Sequence, residues 1–182
     1  MTSSSDSQAR LAGQVLERAK QLGLQISVAE SLTGGALASA LVDVPGASAV
    51  FKLGVVAYSN QAKRTILGVP GQLLQLHGAV SDEVACSMAD SALGLLRRAQ
   101  GSDTTAAAES APFAGLAIST TGVAGPDSQD ALPPGTVFIA AALDLAGERR
   151  VVSRRLDLTG DRDAIRFQTV SAALELALET LS

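Results

Sequence analysis

With 182 residues, the chain is sized for one domain and too short for two ordinary ones. Its 14 basic against 18 acidic residues, a net charge of −4, exclude the broad basic surface that holds nucleic acid nonspecifically, although a few local arginines and backbone amides can still grip one phosphate. The single cysteine, Cys86, excludes an intramolecular disulfide, and no apolar run approaches the ~20 residues that span a bilayer.

The opening Met1-Thr-Ser-Ser-Ser-Asp-Ser-Gln lacks the basic and apolar regions of a signal peptide, which gives the expectation of a cytoplasmic protein. Residues 1–6 read as a disordered polar lead-in, and residues 7–182 as one domain. A helix is predicted over 7–22, where Leu11, Val15, Ala19 and Leu22 share a face and Gly23 supplies a stop. A short buried strand follows over 24–29, then the tight turn Glu30-Ser-Leu-Thr-Gly-Gly35, then a helix over 36–42 that ends before Pro45-Gly46. Residues 50–58, rich in Val and aromatics, predict a strand. A helix over 60–67 is broken by Gly68-Val-Pro-Gly71.

Ser81 reads as the N-cap of a helix carrying Asp82 and Glu83 in its first turn, with Val84, Met88, Ser91 and Leu95 on one face and Arg97-Arg98 at its close. Residues 100–112 read as an exposed low-complexity loop, 115–121 as a strand and 122–135 as a Gly/Pro loop. A hairpin is predicted from 136–143 and 150–158 around Ala146-Gly147. The last helix spans 161–181 with Phe167, Val170, Leu174, Leu178 and Leu181 inward. This order predicts a single-domain, three-layer α/β/α fold with a mixed sheet. With 47% apolar and only 3% aromatic residues, its core is built from Ala, Val, Leu and Ile, which favours close helix-to-sheet packing.

Four segments could carry chemistry. Ser31 sits where a buried strand gives way to a Gly-rich turn and a helix, so nearby amides could stabilise an oxyanion; capping that helix is the plainer role. Lys63 follows Tyr58 by five residues. The only histidine, His77, lies in a Leu-His-Gly turn, so a Ser-His-Asp triad has no visible base, whereas a Ser-Lys pair is an established alternative if the lysine is neutral. A solvated surface lysine is the plainer reading. Ser119-Thr-Thr121-Gly122-Val-Ala-Gly125-Pro126 ends a strand with hydroxyls and glycines, suited to a phosphate, an amide or an ordinary turn. Arg162 opens the last helix and could grip a phosphate or simply pair with Asp161 or Asp163. One His and one Cys cannot build a zinc site, and nothing points to an all-carboxylate magnesium site.

Taken in order, these segments form a pattern. Ala29-Glu-Ser-Leu-Thr-Gly-Gly35 with Val44-Pro-Gly-Ala-Ser48, Tyr58-Ser-Asn-Gln-Ala-Lys63 with Leu67-Gly-Val, His77-Gly-Ala-Val-Ser81, Thr121-Gly-Val-Ala-Gly-Pro126 and Gly160-Asp-Arg162 resemble five blocks of the CinA C-terminal domain family. The resemblance implies a cofactor-free amidohydrolase, usually oligomeric, that converts nicotinamide mononucleotide to nicotinic acid mononucleotide and ammonia. It carries the serine nucleophile onto Ser31, the lysine base onto Lys63 and a tyrosine of the same site onto Tyr58, which could relay the proton. Thr33, Gly34 and Gly35 would supply oxyanion amides, and Ser48, Thr121, Gly122 and Arg162 would line the pocket for ribose and phosphate. Leu32 stands where the family usually has cysteine, Lys52-Leu-Gly54 replaces a more glycine-rich stretch, and Asp127-Ser-Gln129 replaces further glycines; the 100–112 loop is longer than usual. These departures keep open a catalytically silent nucleotide-binding module, or an amidase for another small carboxamide.

Overall fold

The computed structural model describes residues 4–101, 113–145 and 147–182. Helix α1 (Ser4–Gln21) leads into strand β1 (Gln25–Glu30), helix α2 (Ala36–Val42), a 3₁₀ turn at Ala47–Ala49 and strand β2 (Phe51–Val56). Helices α3 (Asn60–Thr65), α4 (Gly71–His77) and α5 (Asp82–Gly101) precede strands β3 (Gly115–Gly122), β4 (Thr136–Leu145) and β5 (Glu148–Asp157), and helix α6 (Arg162–Thr180) closes the chain. The strands lie in the order β2-β1-β3-β4-β5. β1 runs parallel to both β2 and β3, while β4 is antiparallel to both of its neighbours, so the sheet is mixed as expected.

Strand alternation assigns each residue to one of two helical layers. Ile26, Val28, Leu116, Ile118 and Ile139 face α1, α2 and α6, where they meet Val15, Leu37, Leu41, Ile165 and Leu174. Ala29, Ala117, Ala140 and Ala142 face the other way, against Ala85, Met88, Ala89 and Ala92 of α5. Small side chains on both sides of that second interface let α5 approach closely enough for the sheet to bond its backbone. Ser27 donates to the Ala92 carbonyl at 3.1 Å, and Ser119 to the Ala85 carbonyl at 2.6 Å.

Most elements lie within two residues of their expected bounds, and the differences have local causes. α1 begins at Ser4, and the expectation for Met1–Ser3 falls outside the described residues. α5 continues through Gly101, and the rest of the 100–112 loop is likewise outside them. The buried face of α5 is Ala85, Ala89, Ala92 and Leu96, one step round from the expected Val84, Met88, Ser91 and Leu95, because the sheet's small residues select the Ala stripe; Val84 and Met88 are still buried, whereas Ser91 and Leu95 are only half-buried. His77 is the last residue of α4, and its Nδ1 lies 3.2 Å from Glu83 Oε1. Among the described residues no helix is long and apolar enough to cross a membrane.

One topological feature positions everything that follows. β1 connects to β2 through α2 on one face, and β2 connects to β3 through α3, α4 and α5, with α5 on the other. The chains leaving the parallel neighbours β1 and β2 therefore diverge to opposite faces, while the chain leaving β3 runs as a loop into antiparallel β4. The crevice that opens beyond the carboxyl ends of β1, β2 and β3 is where open α/β sheets bind ligands.

Candidate active site

A cavity of about 320 Å³ occupies that crevice, lined by Ser31, Leu32, Tyr58, Asn60, Lys63, Val80, Gly122–Gly125, Asp127–Gln129 and Arg162. The volume falls within the range of about 300–1,000 Å³ typical of small-ligand sites.

Ser31 is the first residue past β1. Its N–H donates to the Thr120 carbonyl of β3 at 2.9 Å, which extends the parallel pairing by one residue and fixes where the side chain begins. The turn then reverses through Gly34 (φ +60°) and Gly35 (φ +98°), a left-handed pair that a side-chain-bearing residue would strain. The neighbouring Glu30 is fully buried, and its carboxylate accepts from the N–H groups of Gly35 and Leu37 at 3.0 Å and of Ala38 at 2.9 Å. Glu30 thus satisfies the orphan amides of α2 and offsets the positive end of that helix. Gly34 N–H donates to the Ser31 carbonyl at 3.1 Å. The Gly34 and Gly35 amides, expected as oxyanion donors, are both engaged within the turn, and Thr33 is fully buried with its hydroxyl 2.7 Å from that of Thr120. Leu32 is the turn residue that lines the cavity beside Ser31.

Lys63 lies on α3, whose N-cap Ser59 accepts from Ala62 N–H at 3.1 Å. It is only 3% exposed. Its Nζ lies 3.3 Å from the Thr121 hydroxyl and 3.5 Å from the Ala79 carbonyl. Burial pulls its pKa down from the ordinary 10.5 to about 8, against the Asp130 carboxylate, which raises it. No neighbouring cation is needed for this shift. Lys63 is therefore not the solvated surface lysine of the plainer reading.

The remaining expected residues separate. Thr121 is buried at the end of β3 and bonds Lys63, and Gly122 lines the cavity where a Cβ would meet the Thr136 carbonyl at 2.8 Å. Tyr58 stands at the mouth, 61% exposed, with its hydroxyl accepting from Arg162 Nη2 at 2.8 Å; it bonds neither Ser31 nor Lys63. Arg162 also donates to the Gly125 carbonyl at 2.7 Å, tying α6 to the loop after β3. Ser48 is exposed and lies just before β2, at the amino end of the strands. The cavity is at their carboxyl ends, so this chain does not bring Ser48 to it.

Three contributors were given no role by the sequence reading, which noted Arg166 only as lying one turn beyond Arg162. Glu30 could have been noticed as an acid closing an apolar strand. Arg166 donates to the carbonyls of Leu32 at 3.1 Å and Thr33 at 2.8 Å, a contact across more than 130 residues that no local pattern announces. Asp130 sits in a tight turn, Gln129 to Leu132, where it and Ala131 have φ of +50° and +63°. Among the described residues no three His, Cys, Asp or Glu side chains converge as metal ligands would.

The chain is similar to known proteins along nearly its whole length. The profile of the CinA C-terminal domain matches residues 8–181. A CinA-like protein of Geotalea daltonii is 44% identical over 156 residues, covering 85% of this chain and 33% of its own length. A CinA-like protein of Geobacter sulfurreducens is 45% identical over 157 residues, covering 86% and 33%. The chain thus spans about a third of the length of the curated relatives it matches. Among solved structures, a competence-damaged protein (CinA) superfamily protein from Klebsiella pneumoniae superposes with a TM-score of 0.79 at 32% identity, covering 96% of this chain and 97% of that one. The competence/damage inducible protein CihA from Agrobacterium tumefaciens gives 0.78 at 36% identity, covering 96% and 95%.

Proposed function

We propose, on the premise that this chain belongs to the CinA C-terminal domain family, that it hydrolyses the carboxamide of nicotinamide mononucleotide, giving nicotinic acid mononucleotide and ammonia. The observation that carries the reading is a buried lysine with a lowered pKa and a serine at a β-strand terminus lining one cavity at the sheet's switch point. Such a pair supplies a nucleophile and a base without histidine.

The chemistry runs in two steps. Neutral Lys63 takes the Ser31 hydroxyl proton as Oγ attacks the carboxamide carbon, and the Leu32 N–H, on the residue following the nucleophile, donates to the developing oxyanion. Collapse breaks the C–N bond, and the Lys63 ammonium returns its proton to the leaving nitrogen, which departs as ammonia. Water, deprotonated by Lys63, then attacks the acyl-enzyme and restores Ser31. Thr121 holds the lysine amine in place. Arg162 and the loop after β3 offer a guanidinium and backbone amides to the phosphate and ribose, with Tyr58 forming the outer wall. Self-association and a cytoplasmic setting belong to the same proposal.

Ammonia release from nicotinamide mononucleotide tests it. Turnover that is abolished by Ser31→Ala supports the amidohydrolase. Saturable binding of the nucleotide without ammonia points instead to a silent binding module, and ammonia from other carboxamides only would redirect the substrate assignment.

A further inference from the structure

The turn that carries Ser31 is gripped from behind by a residue that does not line the cavity. Arg166 is on α6, one helical turn beyond Arg162. Its Nε donates to the Leu32 carbonyl at 3.1 Å and its Nη2 to the Thr33 carbonyl at 2.8 Å. The half-buried guanidinium also lies 3.7 Å from Asp163.

Peptide planarity propagates this grip. In a trans peptide the carbonyl and the following N–H point in opposite directions. Holding the Thr33 carbonyl therefore turns the Gly34 N–H away from the guanidinium, and that N–H donates to the Ser31 carbonyl at 3.1 Å. The Ser31 carbonyl belongs to the peptide whose other end is the Leu32 N–H. Arg166, the Thr33–Gly34 peptide and the Ser31–Leu32 peptide thus form a head-to-tail chain of hydrogen bonds that starts at a cation and ends at the one turn residue lining the cavity with Ser31. Such chains polarise each member, so the charge at one end strengthens the donor at the other. The Leu32 carbonyl, held by the same fork, prevents this segment from rotating.

We propose that Arg166 is the positioning residue of the oxyanion hole: it orients and polarises the Leu32 N–H and never touches the substrate. The inference rests on the proposed Ser31 chemistry. It goes beyond that reading by assigning transition-state stabilisation to a side chain outside the pocket. Contacts that act only on the oxyanion change kcat and leave substrate binding alone.

The test uses Arg166→Gln, which keeps one donor without the charge, and Arg166→Lys, which keeps the charge without the fork. Both are checked for native circular dichroism. Two readouts are compared with the unsubstituted protein: ammonia release from nicotinamide mononucleotide, and the rate at which a fluorophosphonate labels Ser31. Removing an oxyanion donor outright costs roughly 100- to 1,000-fold in kcat, so weakening one through this chain should cost roughly 10- to 100-fold. KM should stay within about twofold, Ser31 labelling should slow in proportion, and Arg166→Lys should recover part of the loss. Folded variants with unaltered kcat and labelling, or a loss carried entirely by KM, would overturn the proposal. If the unsubstituted protein is labelled but releases no ammonia, the substrate reading fails and the labelling ratio alone decides the role of Arg166. If Ser31 is not labelled at all, both readings fall.

Discussion

The Nζ of Lys63 lies 3.3 Å from the Thr121 hydroxyl, and that hydroxyl donates in turn to the Ala79 carbonyl at 2.7 Å, which is itself 3.5 Å from the same Nζ. Two of the amine's three hydrogens thus have fixed acceptors on the protein side. Lys63 also lines the cavity that Ser31 lines, and on the proposed mechanism its deprotonated amine serves as the base there.

On the proposed mechanism, kcat/KM should rise about tenfold per pH unit on the acid side and level off above about 8, where Lys63 is neutral. Initial rates at low substrate between pH 6 and 10 check this. A profile flat through pH 8 would remove Lys63 as the base.

Asp130→Asn should move that limb to lower pH. The Asp130 carboxylate favours the charged form of Lys63, so removing it lets burial act unopposed. Asn suits the positive φ of +50° at this position as readily as Asp, so the turn should persist. The pH–rate profile of the variant is the measurement; a limb that stays put or moves upward contradicts the electrostatic link.

The sequence revealed this site unevenly, and the unevenness has physical causes. Ser31 and Lys63 stood out because each is fixed by nearby residues: a strand end and a Gly-Gly turn for one, a Ser-capped helix for the other. The mixed sheet was legible because hydrophobic alternation reports burial directly. α4 was missed since none of its residues is buried, so its pattern carries no periodic signal. Ser48 was drawn in by a neighbouring motif, although α2 carries the chain from the carboxyl end of the sheet back to its amino end before β2 begins. Arg166 depended on how α6 docks against the 31–35 turn, which is long-range information that neither composition nor spacing contains.

Glu30→Gln should destabilise the fold. The buried carboxylate serves three amides at the start of α2, whereas a carboxamide offers one oxygen and turns an NH₂ toward a donor. A loss of roughly 2–4 kcal/mol is expected, because breaking a buried charge-assisted network leaves amides unsatisfied. Urea unfolding at pH 7 measures it, and a change under 1 kcal/mol would show that water replaces the lost bonds.

Arg162→Ala should act on substrate binding, since a guanidinium at the cavity mouth meets phosphate equally in ground and transition states. KM should rise by roughly 10- to 100-fold with kcat within a few-fold. Tyr58→Phe, which removes only the hydroxyl that Arg162 holds, should produce a smaller change in the same direction. A collapse of kcat at fixed KM would instead place Arg162 in the chemistry.

Lys63→Met should separate stability from activity. In the unfolded chain Lys63 titrates at the ordinary 10.5, and in the folded protein at about 8. Between those values the unfolded state binds more protons, so stability rises with pH across that window and is lowest below it. At pH 7 the buried ammonium therefore destabilises the fold by an amount set by the whole shift, about 3 kcal/mol as an upper bound at 1.36 kcal/mol per pKa unit. Methionine keeps the apolar stem and removes the charge, while leaving Thr121 and Ala79 without one donor, a loss of about 1 kcal/mol. The net expectation is a variant more stable than the parent by about 1–2 kcal/mol at pH 7. That advantage should fall away as the pH is raised from about 8 through 10.5, because the folded parent's lysine is already neutral there and the unfolded chain gives up its own proton as the pH passes 10.5. Turnover should be lost as completely as in Ser31→Ala, and Lys63→Arg should fail too, since guanidinium cannot accept the proton. Denaturant unfolding of parent and variant at pH 7 and pH 10 gives the two differences needed. A variant less stable at pH 7, or a difference independent of pH, would show that the buried amine is stabilised by its surroundings rather than held there at a cost for the sake of catalysis.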